Sequence, residues 1–308
     1  MNATPRAVAL PAAGRLQYRL AWLTVMTPLA GVVAAIVLAW GWGVGPVDLA
    51  LLGVGYVLGV FGIEVGLHRH FSHRAFQAHP AVRAGLAIMG SMAAQGPVLF
   101  WVATHRRHHA FSDRAGDPHT PNVRGEGVLE LLRGLWHAHV GWLFQGDTTD
   151  LGFYARDLLG DRLVFRINQL YFVWLLSGLA LPALIAGLVT RSWTGALMGL
   201  VWGGLVRTFL VHHATWSVNS LCHVFGDRPF DTPDRSTNNG WLALSSLGGS
   251  WHNNHHAFQR TATNSFEWWQ IDACGWFIRG LEAVGLAWDV KVPDERTKRE
   301  YGARRRGD

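Results

Sequence analysis

The histidines of this chain fall into clusters whose spacing suits metal ligation. Three clusters occupy residues 68–73 (HRHFSH), 105–109 (HRRHH) and 252–256 (HNNHH), and a further histidine, His223, follows a long apolar stretch. Imidazole nitrogen is a good ligand for Zn, Cu, Fe and Ni. Residues at positions i, i+3 and i+4 share one face of a helix. We therefore expect the second and third clusters each to direct three imidazoles to one point.

The first cluster has a different spacing. His68 and His73 are five positions apart, which places them about 140° apart around a regular helix. Their side chains would diverge on such a helix. We therefore expect either a helix end between them or ligation of two different ions.

The number of clustered histidines favours a metal site over simple packing. A single histidine on an apolar face is usually a hydrogen-bonded core residue, but so many neutral imidazoles in one place would leave donors and acceptors unpaired. A structural zinc ion needs about four ligands, so three clusters are enough for two ions with open positions. The alternative is a polar cap of histidines that bond to one another without a metal.

Carboxylates near the clusters are candidates for a supporting role. An all-nitrogen site leaves the charge of the metal uncompensated, and ligating histidines usually donate their second N–H to a carboxylate or carbonyl. Glu64 lies four residues before His68, and Asp113 and Asp117 follow the second cluster. The alternative for each of the three is an ordinary helix cap or surface charge.

Composition indicates a membrane protein with a large polar part. The chain has 308 residues, and only 16% of them are charged, against roughly 25% in an average soluble domain. The apolar content excludes general disorder, and two cysteines, Cys222 and Cys274, exclude a disulfide scaffold. The high counts of tryptophan (16) and glycine (36) are typical of membrane proteins. A mean hydropathy of only +0.13 indicates that much of the chain lies in water.

Four apolar runs are long enough to span a bilayer, and they form two hairpins of a single, all-α integral membrane domain over residues 1–308. Lysine and arginine are concentrated at the termini and in the central segment, so the positive-inside rule places these parts in the cytosol. We expect a helical cytosolic cap that holds the metal site. The predicted spans are 20–42, 49–67, 168–190 and 192–211, with a cap of 68–167 and 212–292 and a charged tail of 293–308.

A fifth uncharged run, 84–104, is interrupted by Gln95, Gly96 and Pro97. Length alone would make it another span. A shared metal site requires the first two histidine clusters on the same side of the membrane, and this holds only if the run does not cross. We therefore interpret it as an interfacial or re-entrant segment.

From about residue 62 to 292, the chain resembles the membrane-bound fatty acyl desaturases of the stearoyl-CoA Δ9 type, and in particular their bacterial members. Besides the three clusters, the resemblance rests on four motifs: the run from the second cluster to His119 (HRRHHAFSDRAGDPH), HVGW at 139–142, NSLCH at 219–223 and WWQID at 268–272. Histidine spacing alone is shared with hydroxylases. The Asp-Pro-His and Asn-Ser-x-x-His elements make the resemblance specific to desaturases.

The resemblance implies a site for two iron ions (Fe2+/Fe3+) with O2 as co-substrate. Asn219 matches a residue that reaches an iron through water, and His119 and His139, in matched motifs, are candidates for supporting the ligands. The implied nitrogen ligands are His68, His73, His105, His108, His109, His223, His252, His255 and His256.

The resemblance also implies a bent apolar tunnel for the acyl chain. Its closed end is expected on the second span, near Leu52 and Tyr56. A bulky Tyr56 there would favour shorter chains. Trp101, Trp142 and Trp251 are candidates for the tunnel wall, although tryptophans of this kind also anchor proteins at membrane interfaces.

The function expected on these grounds is O2-dependent insertion of a cis double bond, at Δ9, into a saturated acyl chain. The substrate expected is an acyl-CoA, with an acyl-lipid as the alternative. Electrons are expected from a separate protein (a ferredoxin, a cytochrome b5 or an oxidoreductase), and no nucleic acid is expected as a partner. The expected location is the bacterial cytoplasmic membrane, with termini and active site in the cytosol.

Two other functions are compatible with part of the evidence. A fatty acyl hydroxylase on the same scaffold would share the metal site and differ only in the product. A membrane metal-binding or transport protein would place ionisable groups at mid-span, whereas here the clusters lie at or beyond the ends of the apolar runs.

Overall fold

The computed structural model describes residues 7–9, 13–122, 125 and 127–304, and most of them are helical. Four helices are long and apolar enough to cross a membrane, as predicted. They run over Arg15–Trp42, Pro46–Ser72, Tyr171–Thr190 and Trp193–Leu221. We call them the first to fourth spans. The last residues of the predicted charged tail, 305–308, lie outside the described residues.

The second and fourth spans change winding along their length. The first span is α1 (Ala13–Trp42) and the third is α9 (Tyr171–Thr190). The second consists of α2 (Pro46–Phe61) followed by a π-helix (Gly62–Ser72). The fourth consists of α10 (Trp193–Gly199), a second π-helix (Leu200–Val206) and α11 (Arg207–Leu221).

The remaining elements form the cap. The helices are α3 (Pro80–Met92), α4 (Val98–Phe111), α5 (Val128–His139), a 3-10 turn (Gly141–Phe144), α6 (Leu151–Tyr154), α7 (Arg156–Leu159), α8 (Arg162–Gln169), α12 (His252–Ala257), α13 (Ala273–Ala283) and α14 (Glu295–Arg304). Four short strands pair as two antiparallel ribbons: β1 (Ala7–Ala9) with β3 (Asp147–Thr149), and β2 (Gln77–Ala78) with β4 (Ala287–Trp288).

The second span is longer than predicted because its last turns are buried in the cap. The guanidinium group of Arg69 is fully buried and forms a two-pronged ion pair with Asp272, at 2.8 and 2.9 Å. Asp272 also caps α13 by accepting a hydrogen bond from the amide of Gly275 at 2.9 Å. The helix can therefore continue through the charged Arg69, because Asp272 of the WWQID motif compensates its charge.

The uncharged run 84–104 folds as two helices rather than one. α3 ends at Met92 and α4 begins at Val98. Two residues of the fourth span bond to the carbonyl groups at this break: Arg207 donates to Met92 at 3.0 Å, and His212 lies 2.9 Å from the carbonyl oxygen of Ala93. The run is therefore not one continuous helix.

Candidate metal centre

The structure gathers nine histidines into two adjacent groups. In each group the potential ligand atoms all lie within 4.8 Å of one another. The first group contains His68, His73, His105, His109 and His255, and the second contains His108, His223, His252 and His256. These are the nine residues that the resemblance implied.

The prediction that each of the last two clusters points to one place is wrong. His105 and His109 belong to the first group, whereas His108 belongs to the second. In the third cluster, His255 belongs to the first group, whereas His252 and His256 belong to the second. Each residue of an α-helix is rotated about 100° from the last, so positions i+3 and i+4 point about 100° apart, on either side of position i. A helix between two ions can therefore supply both.

His68 and His73 share one group because of the π-helix. The amide of His73 bonds to the carbonyl oxygen of His68, five residues earlier, at 3.1 Å, which is the π-helical pattern. The helix ends at Ser72. The two imidazole rings are 4.9 Å apart. A helix end therefore lies between the two residues, which was one of the two alternatives, and both rings lie in the same histidine group.

Distances within the groups fit a cation. The Nε2 atom of His255 lies 3.0 Å from the Nε2 atoms of both His68 and His109. In the second group, the Nε2 atom of His252 lies 3.1 Å from that of His223 and 3.0 Å from that of His256. Two unprotonated nitrogens at this distance would repel unless a cation lay between them. Two nitrogen ligands about 2.1 Å from one ion and at right angles around it are about 3.0 Å apart.

Four carboxylates fix the orientation of four ligands. Each accepts a hydrogen bond from a histidine Nδ1 atom, which leaves the Nε2 lone pair of that ring directed into its group. The pairs are Glu64 with His68 (2.9 Å), Asp117 with His108 (2.9 Å), Asp113 with His223 (2.8 Å) and Asp234 with His256 (2.8 Å).

Sequence reasoning missed Asp234. It lies in an irregular segment between the fourth span and the third cluster, where no helical spacing connects it to a histidine. Its Oδ1 atom accepts hydrogen bonds from Ser236 and Thr232 at 2.9 and 3.0 Å. Burial alone would raise the pKa of Asp234, but the contact with His256 lowers it well below its ordinary value. The carboxylate is therefore ionised at neutral pH.

Burial keeps five of the nine histidines in the neutral form. Burial lowers the pKa of five histidines well below the ordinary value, and neighbouring imidazoles add to the effect. They are His73, His105, His109, His252 and His255. For Asp117, burial would raise the pKa, but His108 lowers it to about 2. For His108, burial would lower the pKa, but the contact with Asp117 raises it. A neutral imidazole is the form that binds a metal ion, so the five histidines with a lowered pKa are already in that form at neutral pH.

Three other predicted residues take different places. His119 is buried and stacks on the ring of His108 at 4.5 Å. His139 bonds to Ser220 at 3.0 Å and lies in neither histidine group. Asn219 lines the cavity described next.

An apolar cavity of about 740 Å³ reaches from the first histidine group into the spans. Trp101 and Trp142 line it, and Trp101 stacks on the ring of His105 at 5.0 Å. Its deep end lies among Pro28, Leu179 and Leu205.

Three residues predicted for the tunnel do not line this cavity. Leu52 packs against Val201, and the Tyr56 hydroxyl donates to a backbone carbonyl in the cap. Trp251 is buried, and its indole N–H donates to the carbonyl of Ile271 at 2.8 Å. The difference arises because the first, third and fourth spans enclose the cavity, whereas the closed end of the tunnel was predicted on the second span.

Comparison with known proteins agrees with this site. The family model described as fatty acid desaturase matches residues 46–281. A hex-5-enoyl-[acyl-carrier protein] acetylenase of Moorena producens (strain JHB) is 48% identical over 268 residues, which cover 86% of this chain and 84% of that protein. An sn-1 stearoyl-lipid 9-desaturase of Anabaena variabilis is 38% identical, covering 81% of this chain and 85% of that protein. Delta-9 acyl-lipid desaturase 1 of Arabidopsis thaliana is also 38% identical, covering 79% and 75%. Because the family model covers most of the chain and the histidine groups could hold a metal beside an apolar cavity, the chain belongs to the fatty acid desaturase family and is an oxidoreductase that acts on fatty acyl chains.

Proposed function

We propose that this chain is a di-iron, O2-dependent desaturase that inserts a cis double bond at Δ9 of a saturated acyl chain. The observation that carries the proposal is the position of the apolar cavity, which ends beside His105 of the first histidine group. Two of the relatives are named as Δ9 desaturases. The reaction consumes O2, two electrons and two protons, and it yields the double bond and two molecules of water.

The chemistry explains why iron is proposed. Unactivated C–H bonds require a strong oxidant, and when bound, two iron ions with O2 would supply it, whereas zinc has no redox chemistry. The five histidines of the first group and the four of the second would hold one ion each.

The protein's own residues position the substrate and protect the reaction. The stack of Trp101 on His105 places an apolar wall directly against a ligand, so an acyl chain in the cavity passes beside the metal site. Trp142 covers the same end and lies 5.4 Å from the ring of His119. An apolar lining excludes water from the place where a radical would form.

The proposed location is the bacterial cytoplasmic membrane, with the histidine groups on the cytosolic side. The short turns that join the spans of each hairpin contain one basic residue, Arg191, while the cap contains most of the others. This distribution follows the positive-inside rule. A separate protein is proposed as the electron donor.

The test is expression in a host that lacks its own desaturase, followed by analysis of fatty acid methyl esters. Wild-type protein should produce a new monounsaturated species, and purified protein should contain two iron ions per chain. His109→Ala and His255→Ala should abolish the product because each removes a ligand nitrogen from the first group. A matched control is His79→Asn at an exposed histidine that caps α3, which should leave the product unchanged.

Two outcomes would contradict the proposal. A product that gains an oxygen atom would show a hydroxylase. Full activity of both alanine variants would show that the first histidine group is not the catalytic metal site.

A further inference from the structure

The cavity lies in a cleft between the first and third spans, which both pack against the fourth. Leu23 of the first span and Phe172 of the third line the cavity, yet these side chains are 61% and 59% exposed. A side chain that lines the cavity and is also largely exposed lies at an opening of the cavity. Since these helices are membrane spans, the opening faces the acyl chains of the bilayer.

The cavity descends along the spans. Gln17, near the start of the first span, bonds to the cap through the carbonyl of Gln145 at 3.2 Å, so that end of the span lies at the level of the cap. Pro28, which also lines the cavity, is about 16 Å further along the helix at 1.5 Å per residue. A hydrocarbon core is about 30 Å thick. The cavity therefore extends from the cap into the hydrocarbon core and runs alongside the tails of the surrounding lipid.

The lining carries little charge. Among the described residues that line it, Arg107 is the only lysine or arginine. Arg107 is buried, and its Nε atom donates to the carbonyl of Gly116 at 2.9 Å. Near the cap the lining is neutral, with Gln17, Gln145 and Thr149. Phosphate groups in proteins are bound by arginine and lysine, so this lining is not a site for a phosphate group, and a phosphate-bearing headgroup or carrier would lie outside the cavity.

We propose that the substrate is the acyl chain of an intact membrane lipid, which enters sideways from the bilayer between the first and third spans. This inference rests on the proposed desaturase function and adds the form of the substrate and its route. In this arrangement the lipid headgroup stays at the membrane interface. The neutral amides and hydroxyls near the cap face the ester groups, and the apolar tail lies along the cavity beside His105.

The experiment compares three carriers of the same deuterated stearoyl chain. Iron-loaded enzyme in lipid nanodiscs receives a ferredoxin, its reductase and NADPH. The stearoyl chain is supplied as phosphatidylcholine in the disc, as stearoyl-CoA or as stearoyl-acyl carrier protein. Desaturated phosphatidylcholine, with no product from the other carriers, is expected. Product from either soluble carrier, with none from the lipid, would overturn this inference and leave the desaturase function standing. No product from any carrier would overturn the desaturase function itself.

The route is tested with one variant and a matched control. Leu23→Trp should narrow the opening and cause loss of lipid product, whereas Ile36→Trp, at a residue of the same helix that is 67% exposed and outside the cavity lining, should not. Binding gives a second readout without turnover. A phosphatidylcholine with a diazirine on its acyl chain should label the first and third spans of wild type and label Leu23→Trp weakly. If Leu23→Trp were labelled as strongly as wild type and made as much lipid product, the sideways route would be overturned.

Discussion

Asp234 provides a sharp test of how the second histidine group is organised. Its carboxylate accepts the Nδ1–H of His256 at 2.8 Å. In Asp234→Asn, the amide oxygen can keep the bonds to Ser236 and Thr232, and the amide NH2 then faces His256. Two N–H groups cannot point at each other, so the imidazole must carry its proton on Nε2. That tautomer has no lone pair for the metal.

The magnitude follows from the role of the contact. Loss of an outer carboxylate partner typically costs 10–100-fold in metal affinity or activity, which is about 1.4–2.7 kcal/mol. The wrong tautomer adds to this cost, so the upper end is expected. The first histidine group does not contact Asp234. Metal content should therefore fall from two ions per chain towards one, and activity should fall with it.

The assay is metal analysis of purified protein by mass spectrometry, combined with product yield in a desaturase-deficient host. Asp231→Asn is the matched control, because Asp231 is exposed in the same segment and its change should affect neither measurement. Two tightly bound ions and full activity in Asp234→Asn would refute the idea that this carboxylate sets the tautomer of a ligand.

Three further outcomes are expected. In a thermal unfolding assay of the detergent-solubilised protein, Gly62→Ala should lower the stability by about 1–3 kcal/mol, because the new methyl carbon would lie 2.3 Å from a backbone nitrogen of α3. Gly53→Ala is the control, because its methyl group enters open space, and it should be neutral in the same assay. Burial would raise the pKa of Asp157, but Arg106 lowers it to about 2. This partly exposed ion pair, worth about 1 kcal/mol, should stabilise the fold above about pH 4, and its contribution should be lost as the pH falls towards 2. The unfolding temperatures of wild type and Asp157→Asn should therefore converge over that range. Removal of metal by a chelator should lower the unfolding temperature, since an ion that binds only the folded chain stabilises it by mass action; an unchanged temperature would argue against a bound metal.

The four spans were predictable because long apolar runs are a direct signal, but where the spans end beside the histidine groups was not. The second span was expected to end at residue 67, before the charged and polar residues of the first cluster. It continues to Ser72 because Arg69 meets Asp272. That partner lies about 200 residues away in sequence, so no local pattern could show that the charge is compensated.

The candidate site shows the same division between residue identity and arrangement. Clustering identified the histidines, and local spacing suggested Glu64 and Asp117 as partners. The assignment of His108 and His255 to opposite groups depends on how α4 and α12 face each other. Helix orientation is a tertiary property, and so is the contact of Asp234 with His256 across an irregular segment.

The break between α3 and α4 connects the polar residues of the spans to the position of the site. Backbone groups that leave a helix within a bilayer need partners in the protein. Besides the two carbonyl groups that Arg207 and His212 contact, the amide of Gly96 donates to the Tyr171 hydroxyl at 3.1 Å, and the amide of Leu99 donates to Asn168 at 2.9 Å. Ionisable residues within spans usually mark functional sites, and here Arg207 acts on the backbone instead. By holding the break, α8 and the third and fourth spans position the start of α4, and α4 carries one wall of the cavity together with histidines of both groups.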